Sequence, residues 1–463
     1  MLVALTRPNY DTHLITPPLG LGYLSSYLKK HGHETKIIDG LNLSLNNDEI
    51  VERCKKADLV GIAALSDYFN EVIDLSHRLK KIGKKVVIGF AMASSEPELT
   101  LQETKADYVV ISEGEITMFE LVEAIENGNR VENIHGLYRG KDKAFINRKF
   151  IDNLDSLPFP DWEQLDPRKY KKAPHGGLVK AFPVAPMTTT RGCPFECTFC
   201  ASPKIWDKKI RYRSPNNVTD EIEFLAKEFQ VKEIHFEDDN LTLKREHIEG
   251  ICYSILERGL KIFWALPNGI RVDTVTPSLL RLMKESGCYS IAYGIESGSQ
   301  EILKNIKKKT KIETIEYAVN EAYKAGIITQ GFFIFGLPGE TSETIKATMD
   351  FANRIKLDKA QFLLLDILPG TGLADQLQGK FKYNWNNKSY QEVTWVPDTV
   401  SEEELSKAPS VAFKKFFFRP RQMFYILKFF KFEQVSFILR RILDFNILNF
   451  DVLRKINKVF RKN

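Results

Sequence analysis

Residues 2–128 alternate short apolar runs with segments in which apolar residues recur every three or four positions. The runs at 2–6, 35–39, 59–65, 85–89 and 108–112 predict strands. Helical spacing fills 19–31, 48–56, 68–82 and 97–105, and 116–127 closes the series. Strands that are apolar on both faces are buried on both, so five such units predict a doubly wound parallel sheet. Sheets of this kind bind ligands beyond the carboxyl ends of their strands. That rule singles out the loops 8–19, 66–68, 89–95 and 112–115.

A connector follows at 129–185. Segments 135–140 and 144–150 predict a hairpin, and Asn153-Leu-Asp-Ser-Leu-Pro-Phe-Pro-Asp-Trp162 reads as a proline-punctuated linker. A second alternating series starts at Pro186. Its strands are predicted at 187–190, 233–236, 262–266, 291–296, 330–335 and 361–368, with helices including 217–228, 277–285, 312–325 and 342–354. Six such units predict an open, partial (β/α)6 barrel of the TIM type, with its chemistry at the carboxyl ends of the strands. The α/β chain therefore divides into a sheet domain (1–150), a linker (151–185), a barrel (186–400) and a helical C-terminal region (401–463).

Composition narrows the setting. At 463 residues, 43% hydrophobic and 27% charged, the chain is globular and long enough for two or three cores. Its six cysteines stand at 54, 193, 197, 200, 252 and 288, three clustered and three scattered. That pattern points to a metal site in a reducing compartment, not to a disulfide framework. No apolar run approaches 20 residues and the first ten residues break too soon for a signal peptide, so a cytoplasmic enzyme is expected. Charge is uneven. Residues 411–463 hold 13 Lys/Arg against three Asp/Glu, a net +10, which leaves −4 of the total +6 for the rest. The body of the protein thus has no nucleic-acid-like charge. Twelve of the 31 phenylalanines fall in 413–460. Basic residues interleaved with Phe predict either helices lying on an anionic membrane or a tail packed on the barrel.

The sharpest chemistry is Thr190-Arg-Gly-Cys193-Pro-Phe-Glu-Cys197-Thr-Phe199-Cys200, which follows the first strand of the second series. Three thiolates at C-x3-C-x2-C can hold three irons of a cubane cluster and leave the fourth without a protein ligand. Structural zinc takes four protein ligands, usually from paired knuckles. Here no second knuckle exists. Pro194 and Glu196 mark an exposed loop, which argues against three cysteines buried together by chance.

This motif, with Phe199 before its last cysteine, resembles the radical S-adenosylmethionine (SAM) superfamily. The resemblance continues in family order through Phe236-Glu-Asp238-Asp239-Asn240, Gly269-Ile-Arg271-Val-Asp273, Gly294-Ile-Glu296-Ser297-Gly298, 331–340 (GFFIFGLPGE) and Leu368-Pro-Gly-Thr371. Residues 17–24, 58–62 and 106–115 are similar to the cobalamin-binding domain of one large branch. By this resemblance, Cys193, Cys197 and Cys200 hold a [4Fe-4S] cluster whose open iron chelates SAM for reductive cleavage to methionine and a 5′-deoxyadenosyl radical. Phe199, Asp238, Asp239, Arg271, Glu296 and Ser297 would surround SAM. The acidic pair suits its ammonium and Arg271 its carboxylate, while Glu296 and Ser297 suit the ribose. An internal ion pair competes for Arg271 and Glu296, and a plain acidic turn for Asp238 and Asp239.

The resemblance further implies that a corrinoid rests on Leu19, Gly20, Ser66, Gly89, Glu113 and Gly114. Two departures bear on it. The family commonly has Gly-Gly after the fourth strand, making room for the corrinoid's nucleotide tail, and here Phe90 follows Gly89. Cobalt-ligating relatives carry Asp-x-His-x-x-Gly, whereas Asp11-Thr-His13-Leu-Ile-Thr16 ends in threonine, so His13 reads as a solvated loop residue. The expected function is cobalamin-dependent methylation of an unactivated carbon, in a small-molecule or lipid substrate. It needs an electron donor such as flavodoxin or ferredoxin. The alternatives are a radical cyclisation, rearrangement or oxidation without methyl transfer, and a non-enzymatic metal- or corrinoid-binding protein. Methylthio transfer is disfavoured, because that branch needs three more N-terminal cysteines and only Cys54 is present.

Overall fold

The structure is a computed structural model that describes residues 1–12, 14–172, 179–385, 390–420 and 422. The first sheet contains β1 (Leu2–Arg7), β2 (Glu34–Asp39), β3 (Leu59–Ala63), β4 (Lys85–Gly89), β5 (Tyr108–Val110) and β6 (Leu137–Tyr138). Its order is β2-β1-β3-β4-β5-β6, parallel except for β6. This is the doubly wound sheet that the apolar runs predict. Of the hairpin predicted across 135–150, one cross-bond is present, from the Gly136 amide to the Ile146 carbonyl, and the second segment is not a strand. Leu137–Tyr138 pairs antiparallel with β5 instead, because completing an existing sheet edge satisfies more backbone than an isolated two-strand ribbon.

Eight more strands follow: β7 (Val184–Met187), β8 (Thr190–Arg191), β9 (Arg211–Tyr212), β10 (Glu233–Phe236), β11 (Phe263–Ile270), β12 (Cys288–Glu296), β13 (Ile328–Phe335) and β14 (Lys359–Leu364). Six of them form a parallel sheet in the order β14-β13-β12-β11-β10-β7, while β8 and β9 make a small antiparallel ribbon. The first predicted strand, 187–190, is thus divided between β7 and β8.

Burial along β13 and β14 shows which face is covered. Phe333, Phe335 and Phe362 are buried and stack together beneath Phe416 of the helix Glu402–Phe417. The alternate residues Phe332, Ile334, Gln361 and Leu363 are only half-buried. Successive strand residues point to opposite faces, so the outer face is packed and the inner face borders accessible space. At the base that space is plugged. There the Glu233 carboxylate accepts hydrogen bonds from the Lys180 and Ala181 amides and from Tyr289, and His235 bonds it at 2.6 Å.

The segment expected as a linker is a packed strap. Trp162 and Leu165 are buried in the barrel's outer core, where the Trp162 indole donates to Glu221 at 2.8 Å. Gln164 accepts from the Ile37 amide and Asp161 from Ser25, both in the first unit. Leu405, Ala408, Ala412 and Phe416 likewise bury one face of the helix Glu402–Phe417. Within 413–417 the packed-tail alternative describes the rings, with Phe416 buried and Phe413 and Phe417 against the barrel core, while Lys415 and, just beyond, Phe418 are exposed. The rest of that proposed tail, and His13, lie outside the described residues. Among the described residues no helix is long and apolar enough to cross a membrane.

The two sheets meet at their carboxyl ends. Glu113, just beyond β5, accepts from Arg191 at 2.7 Å, and both its oxygens accept from Nη1 of Arg211 at 2.8 Å. Arg191 also donates to Glu115 at 2.6 Å. All four side chains are largely buried. Burial opposes the charged form of Glu115, but Arg191 outweighs it and holds the carboxyl below its usual range. Its contribution to stability is thus fully present above the ordinary carboxyl pKa and is lost as pH falls through the depressed one. Removing one partner of a buried pair strands the other charge. Glu115→Gln is accordingly expected to lower unfolding free energy at neutral pH by about 3 kcal/mol and to flatten the acid limb of the stability profile. Denaturant titrations from neutral to acidic pH check both.

Candidate active site

The three clustered cysteines lie between β8 and the helix Ser202–Trp206, half-buried and unbridged. Gly192 sets the loop's course. Its φ is +102°, and a Cβ there would stand 1.9 Å from the Lys209 carbonyl oxygen, so no other residue fits. The loop is then pinned in the middle, where the Thr198 amide donates to Ile306 and its carbonyl accepts from Leu373 at 2.7 Å. Burial pushes the Cys200 thiol up to about 12, and the Cys193 and Cys197 thiols also rise. Metal ligation would offset that cost by deprotonating them.

The loop offers three free thiols, the donor set of a cubane that leaves one iron without a protein ligand. The Thr198 hydroxyl, buried next to Cys197, has no hydrogen-bond partner, so the loop has polar capacity left for a bound group.

The residues expected around SAM separate into two groups. Asp239 lies near Cys193 and Cys200, is solvent-accessible, and accepts a hydrogen bond from Ser202 at 2.9 Å. Surrounding protein still pushes its carboxyl up, as expected in a concavity. Phe199 packs half-buried beside the loop. Asp238 differs from its neighbour, being buried with one oxygen accepting from the amides and hydroxyls of Thr189 and Thr190. Ser297 is also buried, bonded to Thr348 at 3.1 Å behind the strand. The other Asp238 oxygen is buried with no hydrogen-bond partner, whereas the Ser297 hydroxyl is paired within the chain.

Arg271 and Glu296 form internal pairs. Arg271 is bidentate to Asp273 at 2.9 and 2.6 Å, donates to the Lys308 carbonyl and the Thr310 hydroxyl, and stacks 3.8 Å from the Phe195 ring centre. Its fork is thus engaged within the chain, beside the Phe195 ring of the cysteine loop. Glu296, at φ +67°, pairs with buried Lys308 at 2.7 Å. A Cβ on Gly294 would come within 2.8 Å of both groups, so glycine is what gives this pair its place. Lys308 in turn stands near Cys197 and the Phe199 ring, bringing a buried cation to the cluster loop.

Across the cavity lies the carboxyl edge of the first sheet. Gly20 is exposed at the start of its helix, where a Cβ would meet nothing within 4 Å, and Leu19 packs against the barrel. Ser66 donates to Asp67 at 3.2 Å, and Asp67 accepts from Tyr390 beside β14. Gly89 has only Val110 at 4.0 Å. These four border the open edge. Glu113 does not, because its carboxylate is consumed by Arg191, Arg211 and the Ile151 amide. Gly114 is crowded by Leu24 at the start of the next helix.

Sequence reasoning missed Lys308 and Glu237. Glu237 extends the inner-face parity of Glu233 and His235, which is a signal that period two offered. Burial raises its carboxyl to about 7 despite opposition from Arg7 of the first sheet, which places the two units' polar ends together. Anaerobic reconstitution is expected to give about four iron and four sulfide per chain. Cys193→Ala, Cys197→Ala or Cys200→Ala should abolish this, and Gly192→Ala should lower it severely. Cys54→Ala and Cys288→Ala, both at buried sites, should leave it unchanged; iron and labile-sulfide assays read every case.

The comparisons with known proteins agree with this arrangement. The radical SAM superfamily model matches residues 187–352 and the B12 binding domain model matches residues 11–122. An uncharacterized methyltransferase of Pyrococcus horikoshii is 34% identical over 92% of this chain and 92% of its own length. The cytidylyl-2-hydroxyethylphosphonate methyltransferase of Streptomyces wedmorensis is 31% identical over 79% of this chain and 78% of its own. Among solved structures, the radical SAM methyltransferase TsrM of Kitasatospora setae, with cobalamin and a [4Fe-4S] cluster bound, superimposes with a TM-score of 0.69. It is 21% identical and covers 82% of this chain and 76% of its own, a likeness of fold. A cluster loop at the mouth of an accessible barrel, facing the carboxyl edge of a B12-type sheet, makes this chain a member of the radical SAM enzymes, in their cobalamin-dependent methyltransferase branch.

Proposed function

We propose that this enzyme methylates an unactivated carbon of a small molecule held in the barrel cavity between the cysteine loop and the first sheet. The observation that carries this reading is the shared cleft: both sheets turn their carboxyl ends to one space, and the barrel's inner face is accessible from it. When bound, the cluster supplies radical cleavage of SAM and the corrinoid supplies a methyl carrier. The chain's own residues do the rest. Cys193, Cys197 and Cys200 hold three irons, and Asp239 offers an accessible carboxylate beside them for the SAM ammonium. Lys308 and Glu296 keep the loop's surroundings charge-balanced. Leu19, Gly20, Ser66 and Gly89 form the corrinoid's resting edge.

The domain division at about 150, 185 and 400 belongs to this proposal, with 151–185 acting as the strap that fixes one unit on the other. The one-electron donor is a small redox protein such as flavodoxin or ferredoxin, since reductive cleavage of SAM consumes an electron that must reach the cluster from outside. Peripheral membrane contact keeps only the charge argument, a net +10 over 411–463. Anaerobic incubation with reductant, hydroxocobalamin and SAM carrying a labelled methyl group tests the main reading. Both 5′-deoxyadenosine and S-adenosylhomocysteine are expected. Formation of 5′-deoxyadenosine without S-adenosylhomocysteine would move the assignment to a radical transformation without methyl transfer.

A further inference from the structure

Phe90 has the backbone of a glycine. It follows β4 with φ +84° and ψ −161°, a region that side chains other than hydrogen essentially never enter. Such strain persists only where the surroundings over-determine it, and here they do. The Gly89 carbonyl accepts from the Ala64 amide, and the Met92 amide returns to the Ala64 carbonyl at 3.1 Å. The Ser94 hydroxyl donates to the Phe90 carbonyl and accepts from the amide of Ser112, itself at φ +64°. One hydroxyl thus braces two strained residues at the ends of adjacent strands. Ser95, next along, lies close enough to Gly370 of the barrel that a Cβ on that glycine would stand 3.0 Å from the Ser95 Cβ.

The ring itself is left exposed at the carboxyl end of β4. Phe90 is 53% exposed, and among the described residues it is not in a ring–ring or cation–π pair. A glycine would relieve the strain and hide the apolar surface, so the ring has a use that folding does not supply. We propose that Phe90 is a specificity-determining residue of the corrinoid cleft, stacking on the aromatic base of the nucleotide tail. The proposal rests on the reading of the first sheet as a corrinoid cradle. The tail's base is the corrinoid's planar aromatic part, and an outward phenyl ring at the strand ends is complementary to it through offset or edge-to-face contact.

Equilibrium binding of hydroxocobalamin and of cobinamide, which lacks the nucleotide tail, to the full chain tests this. Wild type is expected to prefer hydroxocobalamin. Phe90→Ala should weaken hydroxocobalamin roughly fivefold to tenfold, the scale of a lost aromatic pair, with cobinamide affinity unchanged. Phe90→Tyr should retain the preference. Phe90→Gly should lose it while melting no lower than wild type, which separates lost contact from lost fold. If Phe90→Ala or Phe90→Gly binds hydroxocobalamin as tightly as wild type or more tightly, the ring is an obstruction or a bystander and the stacking role is overturned. Equal loss of both corrinoids would also overturn it. Binding of neither by wild type would instead remove the cradle reading itself.

Discussion

Everything in this chain depends on two parallel sheets being held carboxyl end to carboxyl end. A parallel strand delivers its loops to one edge only, so each sheet by itself offers a half-site. The buried network of Glu113 and Glu115 with Arg191 and Arg211 closes the two halves on each other. Its position matters as much as its strength. Arg191 stands two residues before Cys193, so the charge that docks the domains also sets where the cluster loop begins. The strap through Trp162 and Gln164 holds the opposite side, and an Asp67–Tyr390 contact spans the cleft near β14. Hinge motion between the units would have to break buried charge pairs, which makes a fixed cleft the resting state.

Within that frame the barrel inverts the usual distribution of burial. Its aromatic layer of Phe333, Phe335, Phe362 and Phe416 lies outside, under a helix, and the inner face keeps half-buried Phe332, Ile334 and Gln361. A complete eight-stranded barrel fills its interior with side chains. Six strands leave the wall open between β7 and β14, and the polar plug around Glu233 closes only the base. The chemistry is thereby displaced upward, to Asp239, Glu237 and the cysteines. The paired Glu296–Lys308 and Arg271–Asp273 bring cations close to the cysteine loop without leaving net charge there.

How much of this was legible follows from how local each signal is. Strand positions and the cysteine motif were readable because apolar periodicity and ligand spacing are written over a few residues. Helix ends at 277–285 and 342–354 coincide with the observed elements, each preceded by a capping threonine. The roles of Asp238, Arg271, Ser297 and Glu113 were not readable, because a charged or hydroxyl residue looks the same whether its partner is a ligand or a side chain far along the chain. Glu113 meets a partner 98 residues away. Asp238 and Asp239 are adjacent in sequence just past β10, yet one is buried against Thr189 and Thr190 and the other is exposed beside the cysteines. The hairpin at 135–150 is reduced to one cross-bond for a related reason: the competing edge of β5 is invisible to local pattern.

The face-to-face arrangement is tested most directly by electron paramagnetic resonance on the full protein carrying both a reduced [4Fe-4S] cluster and cob(II)alamin. A common cleft places two paramagnetic centres close enough to couple. The expected result is a spin–spin interaction that broadens or splits the cobalt signal and disappears when Cys193→Ala removes the cluster. Two independent, unperturbed signals from a protein loaded with both centres would contradict the shared site.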